Sequence, residues 1–246
     1  MRTLWKLTWV EIKLFFREPT TMVFTLALPL LFLLVMGGVF GNSPDPDIYR
    51  GFGPTNYYIP AYIGLVISSI GVISLPVHLT GYRERGVLKR WRASSISIWN
   101  LLGSQGLVAF FVAALGSVLM LILGYAVYDI SNPQGIPMVI AAFVLGMLSF
   151  ASFGFLLGAI FPTTRAAQGI GMILFFVMMI LGGAGPPPEV LPDAMRIVGE
   201  ILPTHWVIYG LQAPWFGLGW DVDASLIVAG VFVAATVLSV RFFRWE

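Results

Sequence analysis

Six stretches of this 246-residue chain are each long, apolar and almost free of charge: residues 21–40, 57–80, 103–128, 137–161, 169–185 and 224–240. A helix of roughly 20 apolar residues crosses the hydrocarbon core of a bilayer while satisfying its own backbone hydrogen bonds. The predicted fold class is therefore an all-α polytopic membrane protein with six transmembrane helices. Only 11% of the residues are charged and mean hydropathy is +0.87, whereas a soluble domain carries about 25% charge. The absence of cysteine removes disulfides and thiolate metal sites. A net charge of +2 gives no footprint for nucleic acid as a partner.

Basic residues in short loops favour the cytoplasmic side. With the N-terminus inside, Arg2, Lys6, Lys13, Arg17, Arg83, Arg85, Lys89, Arg90, Arg92, Arg165, Arg241 and Arg244 all fall inside, and only Arg50 and Arg196 fall outside. Most carboxylates lean the other way: Asp45, Asp47, Asp129, Glu189, Asp193, Glu200, Asp221 and Asp223. Both termini are expected in the cytoplasm.

Residues 1–18 read as an interfacial helix. At about 100° per residue, Arg2, Lys6, Lys13 and Arg17 share an arc of roughly 60°, and Trp5, Trp9, Ile12 and Phe16 occupy the adjoining one. Between the fifth and sixth spans, residues 186–222 are broken by Pro186, Pro187, Pro188, Pro192, Pro203 and Pro214. Such backbone at membrane depth needs protein cover. We read it as an outer re-entrant region with Trp206, Tyr209, Trp215 and Trp220 at headgroup level.

The source of energy is conspicuous by what the chain lacks. No Asp, Glu, Lys or Arg sits near the middle of any apolar segment, which argues against proton coupling and, more weakly, against sodium coupling. A phosphate-binding loop ends in Lys-Ser or Lys-Thr after a glycine-rich turn, and Lys6, Lys13 and Lys89 follow Trp5, Ile12 and Leu88 instead. If ATP drives this protein, a second polypeptide hydrolyses it. His78 and His205 are placed on opposite sides of the bilayer, and no catalytic constellation or metal site is evident.

The loop over residues 81–95, Gly-Tyr-Arg-Glu-Arg-Gly-Val-Leu-Lys-Arg-Trp-Arg-Ala-Ser-Ser, holds more than positive charge. A topogenic loop has no need of Glu84, of Gly86 at a turn, or of Leu88 and Trp91 between cations. A short docking helix would use Leu88 and Trp91 as anchors and its arginines as rim contacts. Local composition leaves both readings open.

At this loop the sequence resembles the permease subunits of ABC-2 type exporters, the group containing daunorubicin-resistance permeases and polysaccharide exporters. Their pattern Arg-Glu-x-Gly-Thr-Leu-Glu-x-Leu-Arg-x-Ser-Pro is matched by Arg83, Glu84, Gly86, Leu88, Arg92 and Ser94. Arg17-Glu18-Pro19 before a span containing Pro29, the six-span layout, and Leu202-Pro203-Thr204-His205-Trp206 before the last span agree as well. Val87, Lys89, Trp91, Ser95 and Gln212 depart from the family's usual residues.

The resemblance implies a single transmembrane domain over 1–246. The loop would be a cytoplasmic coupling helix, with Arg83, Glu84, Gly86, Leu88, Arg90 and Trp91 resting on an ATP-binding subunit. Two copies of that subunit would carry ATP and Mg, and this chain would hold no cofactor of its own. A second permease subunit, identical or homologous, would complete the path across a bacterial cytoplasmic membrane. The family's central interface makes Tyr62, Ser69, Met172, Phe175, Phe176 and Met179 the candidates for contacting substrate. The expected function is ATP-driven export of a hydrophobic or amphipathic small molecule, a lipid or a glycan. The alternative is a channel or ion-coupled carrier without an ATPase; a membrane-embedded enzyme ranks third.

Overall fold

The computed structural model describes residues 2–45, 48–49, 51–93 and 98–242, apart from the side chains of Arg2, Thr3, Thr20, Trp91, Arg92, Ala93, Ile98, Trp99 and Leu101. The expectations for Asp47, Arg50, Ser94, Ser95 and Arg244, and for the side chains of Arg2, Trp91 and Arg92, fall outside that set. The described residues are mostly helical, with one isolated antiparallel bridge between Asp45 and Phe52. The elements are α1 (Arg2–Phe15), α2 (Pro19–Met22), α3 (Leu28–Phe40), α4 (Pro54–Ser69), α5 (Leu75–Glu84), α6 (Val87–Ala93), α7 (Ile98–Tyr128), α8 (Ile136–Ile160), α9 (Thr164–Leu181), α10 (Asp193–Ile201), α11 (Pro203–Trp215) and α12 (Val222–Phe242). Six helical stretches are long and apolar enough to cross a membrane: Val23–Phe40, Pro54–Glu84, Leu102–Tyr128, Ile136–Ile160, Thr164–Leu181 and Val222–Phe242. The chain is an all-α polytopic membrane protein.

The second span is the axis of the fold, with 94% of its most apolar window buried. Spans one, three, four and five and α11 all pack around it. Its helix passes through a π-helical turn, Ile70–Ser74, between α4 and α5. Pro76 explains the widening: it has no N–H to return to the preceding turn, and its ring crowds the carbonyls there. The first span repeats the device, with a π-helical turn at Val23–Ala27 just before Pro29.

The carbonyls of Gly71 and Val72 are the ones a residue at 76 would have bonded, and glycines of the neighbouring spans press onto them. A Cβ on Gly154 of α8 would lie 2.7 Å from the Gly71 oxygen, and one on Gly171 of α9 would drive far inside van der Waals contact with the Val72 oxygen. Small residues let the backbones meet.

Residues 186–222 fold as a helical hairpin. α10 rests against the end of α9, and α11 runs antiparallel to α4. The Ser68 and Thr204 hydroxyls lie 3.0 Å apart, Ile208 fills the space over Gly64, and Gln212 Nε2 donates to the Tyr57 carbonyl. Ser68 is next to the midpoint of the 31-residue second helix, so Thr204, His205 and Trp206 lie half-way along it. This corrects the placement of Trp206 at headgroup level: its indole N–H donates to the Glu200 carbonyl at 2.7 Å. His205 likewise stacks on Tyr209 at 4.4 Å inside the bundle, about 15 Å of helix rise from the level of His78 rather than on the opposite surface. Trp215, at the far end of α11, is 4% exposed. Its aromatic body fills the bundle while its carbonyl accepts the Gln134 N–H.

α1 packs on α7 through Thr8, Glu11 and Phe15, spaced about one helical turn apart. Trp5, Trp9 and Phe16 stay exposed beside Lys6, Lys13 and Arg17. Glu11 is buried among apolar neighbours because Tyr82 of α5 donates its hydroxyl to it.

Candidate functional site

The described residues of the 81–95 loop lie at one end of the bundle, the end carrying Arg83, Arg85 and Arg165. α5 stops at Glu84 because Gly86 takes φ +66°, a left-handed conformation that glycine adopts without steric cost. Arg83 and Glu84 then reach across to the loop between spans four and five. The Arg83 guanidinium donates to the carbonyls of Gly158, in the last turn of α8, and of Phe161, which caps it. Glu84 accepts the Thr164 N–H at 3.1 Å and the Thr164 hydroxyl at 2.5 Å, capping α9 beside Thr163, which accepts from the Ala166 N–H. A cation closes the C-terminal end of one helix and an anion the N-terminal end of the next, as both helix dipoles favour. Two adjacent side chains of the second span therefore tie it to the fourth and fifth.

The other residues of the loop divide by exposure. Leu88 is 1% exposed and in this conformation is packed within its own chain. Lys89 and Arg90 face outward, with Arg90 donating to the Arg85 carbonyl at 3.1 Å. Trp91 lies in α6, its side chain outside the described set.

The six path candidates separate in the same way. Tyr62 and Met179 line a pocket of about 430 Å³ between spans one, two and five, toward the far end, with Phe32, Met36, Tyr49 and Tyr58. Tyr58 and Tyr62 stack at 5.3 Å, and Phe32 and Tyr49 flank them. Burial and the Asp45 carboxylate push the Tyr49 phenol above its ordinary range. Phe176 is 38% exposed and packs edge-on to Phe24, and Met172 is half-buried. Ser69 and Phe175 are buried, Ser69 donating to the Val66 carbonyl, and reach no substrate in this conformation. Sequence reasoning missed Phe32, Tyr49 and Tyr58. The tyrosine spacing from 58 to 62, one helical turn, was the available signal for the last of these.

Among the described residues no group of three His, Asp or Glu side chains could hold a metal ion. The all-α, six-span fold agrees with what comparison by sequence finds: residues 2–216 match the ABC-2 type transporter family. The chain belongs to that family. It is 23% identical over 207 residues to "Putative transport permease YvfS" of Bacillus subtilis strain 168, covering 83% of this chain and 82% of the relative. It is also 23% identical over 227 residues to "Putative transport permease ycf38" of Cyanophora paradoxa, covering 88% and 75%. As an ABC-2 permease the chain is a transport component of a multi-pass membrane type, and membership implies association with an ATP-binding subunit.

Proposed function

We propose that this chain is the transmembrane subunit of an ATP-driven exporter, moving a hydrophobic or amphipathic molecule, a lipid or a glycan out across the bacterial cytoplasmic membrane. Two ATP-binding subunits supply the energy, and a second permease subunit completes the path. The basic end of the bundle faces the cytoplasm. The observation that carries this reading is the double clamp of Arg83 and Glu84 beside α6. A push on the outward face of α6, at Lys89 and Arg90, reaches the second span directly and the fourth and fifth through one carboxylate and one guanidinium. Three spans then move on one contact, as alternating access requires. Tyr62 and Met179, in the aromatic pocket, serve as substrate contacts. Met172 and Phe176 lie lower on the same span. Ser69 and Phe175 join only in a conformation that opens the helix packing.

The test is reconstitution with and without an ATP-binding subunit. The permease alone should show neither ATP hydrolysis nor gradient-driven uptake, and Trp91→Ala should weaken co-purification of the ATPase. Robust proton- or sodium-coupled transport by the isolated chain would establish the carrier instead.

A further inference from the structure

At the basic end, a cleft of about 470 Å³ opens between the elbow joining α1 to α2, the lower half of the second span, and the start of α9. Three arginines from three elements line it: Arg17, Arg85 and Arg165. The two carboxylates in its wall are already supplied with donors. Glu84 holds both donors of Thr164; Glu18 takes the Thr21 hydroxyl at 3.4 Å and lies 3.6 Å from His78 Nε2. The Arg17 and Arg165 guanidiniums make no hydrogen bond with another described residue, and Arg165 acts on Glu84 only through its charge. Arg85 commits its Nε–H to the Gly81 carbonyl, which leaves four of its five donors.

We infer that this cleft binds the phosphate headgroup of an anionic phospholipid, with Arg17, Arg85 and Arg165 on the phosphate and the half-buried Val77 beside the first part of an acyl chain. The depth of the cleft selects a lipid over a soluble anion. Its accessible lining runs from Glu84 to the half-buried Val77, about 10 Å of helix rise, so charge at the mouth gives way to an apolar wall deeper in. An amphiphile meets both; inorganic phosphate meets only the mouth. Arginine forks suit phosphate oxygens, and the site lies on the face that the topology above assigns to the anionic cytoplasmic leaflet. A lipid there wedges the elbow of the first span against the fifth, next to the Glu84 cap.

The experiment uses the full chain in symmetric vesicles of equal phosphatidylglycerol and phosphatidylcholine, followed by gentle detergent extraction and native mass spectrometry of the lipid retained. No ATPase takes part, so this inference and the exporter reading fail separately. Wild type should retain phosphatidylglycerol preferentially. Arg17→Gln/Arg165→Gln should lose that preference by about fivefold per arginine. Arg17→Lys/Arg165→Lys should keep much of it, and Arg196→Gln, at the far end, all of it. Equal retention of the two lipids by wild type, or an unchanged preference in the double glutamine variant, overturns the inference. So does a lysine variant as impaired as the glutamine one, which marks damaged packing. Release of the bound lipid by excess inorganic phosphate assigns the site to a soluble anion and overturns it too.

Discussion

Glu84 holds Thr164 through both the backbone N–H and the hydroxyl of that residue, so its charge rests where the α9 dipole favours it. Substituting Glu84→Gln removes the charge from that contact, and Thr164→Val removes its hydroxyl half from the other side. If Glu84 couples through α9, ATPase stimulation by substrate should fall to a similar extent in each single variant, and the double variant should be no worse than either, because residues sharing one contact are not additive. A normal Thr164→Val beside a defective Glu84→Gln would mean that Glu84 faces the partner instead. Gly86→Ala should destabilise the chain by about 1 kcal/mol, since alanine is strained at that left-handed turn, and a thermal melt in detergent checks it. The sequence marked Glu84 and Gly86 as residues that a topogenic loop does not need, because neither adds positive charge, while leaving the docking and topogenic readings both open. It could not show what Glu84 binds, as Thr164 lies 80 residues away and nothing local links the two.

Each span announces itself through apolar length, and the chain reads easily at that level; the contacts that set depth and register do not. Pro76 looks like a breaker in sequence, yet the second helix continues through it by widening into a π turn, and Gly154 and Gly171 press onto its Gly71 and Val72 carbonyls. Gly171→Ala should therefore cost about 2 kcal/mol through overpacking between two backbones. Gly169→Ala, two residues earlier in the same helix with open space around it, should be neutral or stabilising by up to about 1 kcal/mol. Matched melting curves for the two variants test this, and equal behaviour would show that the glycine contact contributes nothing. The hairpin of α10 and α11 was legible as broken helix but not as deep. Hydropathy places Trp206 at an interface, whereas the Ser68–Thr204 contact draws it half-way along the second span. That contact joins positions 136 residues apart, beyond the reach of any local pattern.

For the whole molecule, the decisive property is which end faces the cytoplasm, because the coupling reading of α6 and the lipid reading of the arginine cleft both depend on it. The helical path places Ser43, Ser131 and Asp193 at the far end, and all three are exposed. Thr163 is exposed at the opposite end, beside the Glu84 cap. In the cysteine-free chain, single cysteines at Ser43, Ser131 and Asp193 should react with a membrane-impermeant thiol reagent added to intact cells. One at Thr163 should react only after the membrane is opened. The physical driver is the basic bias: twelve of the fourteen Lys and Arg residues fall on one side of the six-span path, and holding such loops on the cytoplasmic side is the established effect of that bias. Arg196, one of the two exceptions, sits 3.0 Å from Asp193 in an exposed i,i+3 pair, which offsets its charge where it stands. The neutralising variant Arg196→Gln should leave the labelling pattern unchanged. Labelling of Thr163 from outside, or protection of all three far-end sites in folded protein, would invert the molecule and turn α6 away from any cytoplasmic ATPase.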